Sequence, residues 1–126
     1  MEQANYLKAI VIGIGSFLTS ILGVLAIPTV LMVASNVTDY ITGLIASKFR
    51  EQDINSYRSM RGIFKKVGMW LLVIVGAILD VLLEYSLANL GIKIPFSFPV
   101  ASIVEVWITC NEIISNLENI QDIGVN

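Results

Sequence analysis

The chain has no histidine and a single cysteine, Cys110, among its 126 residues. The missing imidazole removes the commonest acid–base catalyst, and one thiol forms neither an internal disulfide nor a cysteine cage for a metal. No cofactor, no metal and no enzymatic activity are expected. Charge is scarce as well: 14% of the residues are charged and 56% are apolar, against about 25% and 45–50% in soluble domains. A water-soluble fold of this length cannot hide so much apolar surface in one core, whereas a bilayer solvates it on every side. The mean hydropathy of +0.78 agrees. The chain is read as one all-α integral membrane domain of helical hairpins, in contact with lipid and not with nucleic acid.

Thirty uncharged residues run from Ala9 to Thr38, which is too long for the 7–15-residue core of a signal sequence. Between Lys8 and Lys48 only Asp39 is charged. A single helix over that stretch would be about 58 Å long, roughly twice the thickness of a hydrocarbon core. Two spans, residues 9–25 and 29–47, joined by a turn from Gly23 to Pro28, fit better. That turn has no polar residue, so one kinked, tilted span is the alternative and gives three crossings instead of four. Further spans are read at residues 67–90, closed by Asn89, Gly91, Lys93 and Pro95, and at residues 97–117, ahead of a polar tail over 118–126. Trp70 and Trp107 are read as lipid-facing or interfacial anchors.

Six of the eight basic residues, Lys48, Arg50, Arg58, Arg61, Lys65 and Lys66, fall within residues 48–66. The excess of Lys and Arg predicts that this segment is cytoplasmic in a bacterial inner membrane, and with four spans both termini share that side. Ile54, Tyr57, Met60 and Phe64 recur at helical spacing, which suits a short interfacial helix holding its cations against anionic lipid headgroups. A solvated loop that only sets topology is the other reading.

The acidic residues are the unusual feature, because an ionised side chain at mid-bilayer costs at least about 2.5–3.5 kcal/mol. Asp39, Asp80, Glu84, Glu105 and Glu112 all fall in or at the ends of predicted spans, with no Lys or Arg inside a span to pair with them. Counting helical rise puts Asp39, Asp80 and Glu105 in one layer, roughly 10–15 Å from the outer edge. In the last span Ser102, Glu105, Thr109, Glu112, Asn116 and Asn119 are spaced 3, 4, 3, 4 and 3 residues apart, which places them on one helical face. Such a seam either lines water in an assembled lesion or forms a polar contact between helices. In the first span Gly15, Thr19 and Gly23 follow one another at four-residue spacing, a pattern that lets helices approach closely and suits self-association into a homo-oligomer.

Three stretches resemble the small phage holins grouped as phi29-type and clostridial toxin-secretion holins. They are DYITGLIAS from Asp39 to Ser47, SMRGIFKKVGMWLLVIVGAILD from Ser59 to Asp80, and NEIISNLENIQDIGV from Asn111 to Val125. The most specific part is Asn111, Glu112, Ser115, Glu118 and Asn119. The resemblance implies a phage-encoded protein that gathers in the host cytoplasmic membrane, oligomerises and opens lesions at a programmed time. A muralytic endolysin then reaches the wall, or a toxin leaves, without either needing to touch the holin. Two other classes compete. A small proton-coupled multidrug exporter would be expected to carry an acidic residue in its first span, which residues 9–25 lack, and a non-transporting accessory subunit would use the seam as a protein contact.

Overall fold

The computed structural model describes residues 2–52 and 56–124, all helix and turn with no strand among them. Four helices follow in order: α1 Glu2–Leu22, α2 Ala26–Phe49, α3 Ser56–Asn89 and α4 Pro99–Ile123. A 3-10 turn, Gly23–Leu25, joins α1 to α2. Ile54 and Val125, which belong to the interfacial pattern and the terminal motif, lie outside the described residues.

The last helix, α4, is the central one. Both α2 and α3 rest on α4, and they meet each other chiefly through long side chains. Pairings along the interfaces fix the directions. Thr42 of α2 meets Asn116 and Asn119 of α4, while Ser35 meets Asn116, so the two helices run parallel. On α3, Asp80 meets Val100 and Lys66 meets Glu112, so α3 runs antiparallel to α4 and closes a hairpin with it. This arrangement hides the polar face of α4 and leaves two apolar helices outside. The small core between them is Leu25, Met32, Val73, Ala101 and Ile108.

The exterior suits hydrocarbon. Ala26–Phe49 and Tyr57–Asn89 are long and apolar enough to cross a membrane, and only 17% of the most apolar stretch of either is buried. The chain exposes 9406 Å², against about 6,600 Å² for a soluble monomer of this mass. The chain is a helical membrane protein.

Three local features position the rest. Residues 2–16 of α1 are exposed throughout, and among the described residues α1 does not pack along another helix. The 3-10 turn thus leads from α1 into α2 without folding α1 back upon it. The basic segment contributes its residues 56–66 directly to α3, whose 34 residues span about 51 Å. That exceeds a hydrocarbon core by several turns, which leaves the basic turns at the membrane surface. At the other end of α3, Leu90 and Ile92 donate to Leu87 O and Gly91 to Ala88 O. Gly91, at φ +78, takes the left-handed position that ends the helix.

Where α3 crosses α4, Gly76 supplies the close approach. A Cβ there would sit 3.3 Å from Ala101 Cα, so a larger residue would push the helices apart.

Candidate functional site

The seam residues of α4 turn inward. Glu105, Glu112, Asn116 and Asn119 are buried, and Ser102 and Thr109 are half-buried. Helical periodicity places all six on one face, and α2 covers that face because its own Ser35, Asp39, Thr42 and Gly43 present small or polar groups there.

The lower half of the seam is a connected network across three helices. Lys66 Nζ of α3 donates to Asp39 Oδ2 of α2 and to Glu112 Oε2 of α4, each at 2.7 Å. Asn119 Nδ2 donates to Asp39 Oδ1 at 3.0 Å and to Thr42 Oγ1 at 3.0 Å. Asn116 Nδ2 reaches Ser35 O at 3.2 Å, while Thr42 Oγ1 donates to Asn116 Oδ1. At the end of the helices Arg50 donates to Asn119 Oδ1 at 2.9 Å and pairs with Asp122. A further bond from Trp70 Nε1 to Asn36 Oδ1 ties α3 to α2. Buried charges persist when paired and hydrogen-bonded, and here one ammonium serves two carboxylates.

The upper half differs. Asp80 accepts from Val100 N–H at 2.9 Å and Ala101 N–H at 2.8 Å. α4 starts at Phe98–Pro99 with no side-chain cap of its own, so its orphan amides are satisfied by a carboxylate from α3, at the positive end of the helix dipole. Glu105, with no exposed surface, has no hydrogen-bond partner on either oxygen, and Thr29 Oγ1 is likewise unpartnered.

Residues 16–126 match the bacteriophage holin family. The chain belongs to that family. It is also 28% identical over 121 residues to an uncharacterized 14.9 kDa protein in the nagH 3' region of Clostridium perfringens, a match covering 96% of this chain and 83% of the relative. No solved structure matches it.

Several expectations for this holin-family chain need correction. Asp39, Asp80 and Glu105 do not share a layer. Asp80 sits level with Val100, Glu105 one turn further along α4, and Asp39 level with Glu112 to Asn119, about 10–20 Å beyond Glu105. Counting rise from assumed span ends missed the register in which α2 lies on α4. The carboxylates of Asp39 and Glu112 do have a cation, because Lys66 turns inward from the basic segment and is not a headgroup contact. Arg50 is likewise engaged with α4, whereas Lys48, Arg61 and Lys65 are exposed, and Arg58 donates to Gln52. Of the terminal motif, Glu112 and Asn119 are buried in the network, Ser115 is half-buried, and Asn111 and Glu118 are exposed.

On α1 a Cβ at Gly15 would meet nothing, and Thr19 Oγ1 donates to Gly15 O. Gly23 takes φ +35 in the 3-10 turn. Sequence reasoning missed Asn36, Gly76 and the capping role of Asp80. A helix starting at Pro99 without a Ser, Thr, Asp or Asn cap was the available signal for the last.

Proposed function

We propose that the chain is a working holin: it gathers in the bacterial cytoplasmic membrane as a closed multi-pass subunit with both termini cytoplasmic, associates with further copies, and opens a lesion without catalysing any reaction. Endolysin, or a secreted toxin, passes through. The observation that carries this reading is the enclosure of a continuous polar seam inside an apolar shell. Such a subunit is compatible with an intact bilayer while α2 covers α4, and it holds a ready hydrophilic wall if α2 and α4 separate in an assembly. Membership of the holin family supports the same conclusion.

Induced expression in a bacterium tests it. Growth should stop abruptly, membrane potential should collapse, and co-expressed endolysin should lyse the culture. Continued growth at verified membrane levels of the protein would refute the reading.

Self-association is assigned to the exposed α1 face. A Cβ added at Gly15 meets nothing within the subunit, so a loss of crosslinked oligomers in Gly15→Leu reports on contacts between subunits. Unchanged crosslinking would move the contact elsewhere.

A further inference from the structure

Where the α3–α4 hairpin turns, at the end of α3 away from the basic segment, lies a cavity of about 560 Å³. Its volume falls within the roughly 300–1,000 Å³ of small-molecule sites. Both ends of the connecting loop are fastened. Gly91 and Ile92 bond back to Ala88 and Leu87 of α3, while Val100 and Ala101 of α4 donate to Asp80. Residues 93–98 therefore pass beside Glu84, which lies one turn beyond Asp80 on α3 and shares the cavity wall with them. Phe98 closes the loop in the left-handed region at φ +51, a state that a non-glycine residue keeps only where its surroundings enforce it.

The charged side chains in the wall are Glu84 and Lys93, of opposite sign. Both are exposed, and among the described residues no hydrogen bond or ion pair engages either of them. Ser97 adds a hydroxyl, and Ile94, Pro95, Phe96 and Phe98 make up the rest. Depth points to a lipid. Glu84 lies 18 residues beyond Lys66 on α3, about 27 Å along the axis. With the basic turns at one membrane surface, Glu84 stands at the opposite boundary of a roughly 30 Å hydrocarbon core. Its neighbour Tyr85 is exposed, as suits an interfacial aromatic. An anionic phospholipid would bring a phosphate to Lys93 but nothing to Glu84, whose carboxylate repels it. A phosphoethanolamine headgroup carries both complements, a phosphate for the Lys93 ammonium and a primary ammonium whose N–H groups suit the Glu84 carboxylate.

We propose that this recess binds the headgroup of one phosphoethanolamine phospholipid, phosphate at Lys93 and ammonium at Glu84. Its acyl chains leave along Val81 and Ile74, which lie 3 and 10 residues before Glu84 on α3 and are exposed. The site requires a membrane and no lesion, so it stands or falls apart from the holin reading.

The test uses the purified full chain in micelles doped with equal, sparse amounts of phosphatidylethanolamine, phosphatidylglycerol and phosphatidylcholine, with co-purifying lipid counted by mass spectrometry. Phosphatidylethanolamine should be retained above the other two and resist displacement by excess soluble phosphoethanolamine. Lys93→Gln should lower retention of phosphatidylethanolamine and phosphatidylglycerol alike, by roughly fivefold. Glu84→Gln should instead erase the preference, losing phosphatidylethanolamine by up to about fivefold while phosphatidylglycerol holds or gains. Lys65→Gln with Glu118→Gln removes one charge of each sign at exposed positions outside the recess and should change retention less than about twofold. No preference for phosphatidylethanolamine, its displacement by the soluble headgroup, or equal losses from the control pair would overturn the proposal. A water-soluble carbodiimide gives a readout independent of the variants, because it couples a carboxylate to an adjacent primary amine as an amide. The wild type should yield a phosphatidylethanolamine adduct at Glu84 and far less at Glu118. Equal yields at the two carboxylates would show that the lipid is not held in the recess.

Discussion

Glu105 and Glu112 lie two turns apart on the same face of α4, and both are buried, yet Glu112 is tied into a charge network, whereas Glu105 has no cation and faces only the Thr29 hydroxyl of α2, without a formed hydrogen bond. The cause is the register of α3. Antiparallel to α4, it presents Lys66 level with Glu112 and, seven residues on, Val73 level with Glu105. Periodicity within α4 therefore puts the two carboxyls on one face, while a different helix decides which of them has a cation. The lower seam acts as a clasp joining α2, α3 and α4. The upper seam holds α2 with apolar packing around Glu105 and Thr29, neither of which forms a hydrogen bond there, which makes it the place where separation costs least.

Removing the clasp's cation should produce the largest effect. Lys66→Met strands the buried carboxylate of Glu112 and the half-buried one of Asp39; breaking a fully buried pair costs about 3–5 kcal/mol, and the loss here should approach the lower end of that range. Loss of helicity in a denaturing-detergent titration should shift to much lower detergent. Neutralising the partners as well, in Lys66→Met/Asp39→Asn/Glu112→Gln, should restore most of the loss, since stranded charge is the cause. A triple variant as unstable as the single one would show that Lys66 acts through packing instead.

Asp80 is next. Asp80→Ala leaves the amides of Val100 and Ala101 without acceptors at a buried helix start, a cost of about 1–3 kcal/mol for each stranded group. Glu84, one turn further along α3 and exposed, provides the control, and Glu84→Ala should stay within about 0.5 kcal/mol. Comparable losses at both positions would mean that the carboxylates act through general charge and not through the cap.

How far the sequence reaches follows from the same contrast. Composition and hydropathy make the helical membrane class legible, and the 3,4 spacing makes the inner face of α4 legible, because both are properties of a single segment. The Lys66 bridge is not legible, since a lysine in a basic run near the membrane surface reads as a headgroup contact until the register of three helices is known. Nor is the layer of Asp39, Asp80 and Glu105 testable by counting, because small errors in assumed span ends propagate into depth. The break at Gly23 is visible, but whether the chain turns back there is not, because no polar residue marks it. The holin assignment comes from the motif stretches and not from the physics of the spans, which suit many membrane proteins.

The smallest effect on stability, and the sharpest on function, is expected from Glu105→Leu/Thr109→Leu. Neither oxygen of Glu105 has a partner to lose, so replacing this carboxyl by an apolar side chain should leave the fold intact or somewhat firmer, and insertion should become easier by a few kcal/mol. Membrane accumulation should hold at or above the wild-type level. If separation of α2 from α4 begins at this weak upper seam and exposes it to water in the lesion, the same change penalises opening twice, by strengthening the closed contact and by making the wet wall apolar. Lysis should then be delayed or lost at normal accumulation, with the subunit otherwise folded. Were the seam only a contact within one subunit, each lost polar interaction would be worth about 0.6 kcal/mol, and lysis would keep its timing. Immunoblots of the membrane fraction taken alongside lysis curves distinguish the two, and unchanged lysis timing at normal accumulation would end the lining hypothesis for this half of α4.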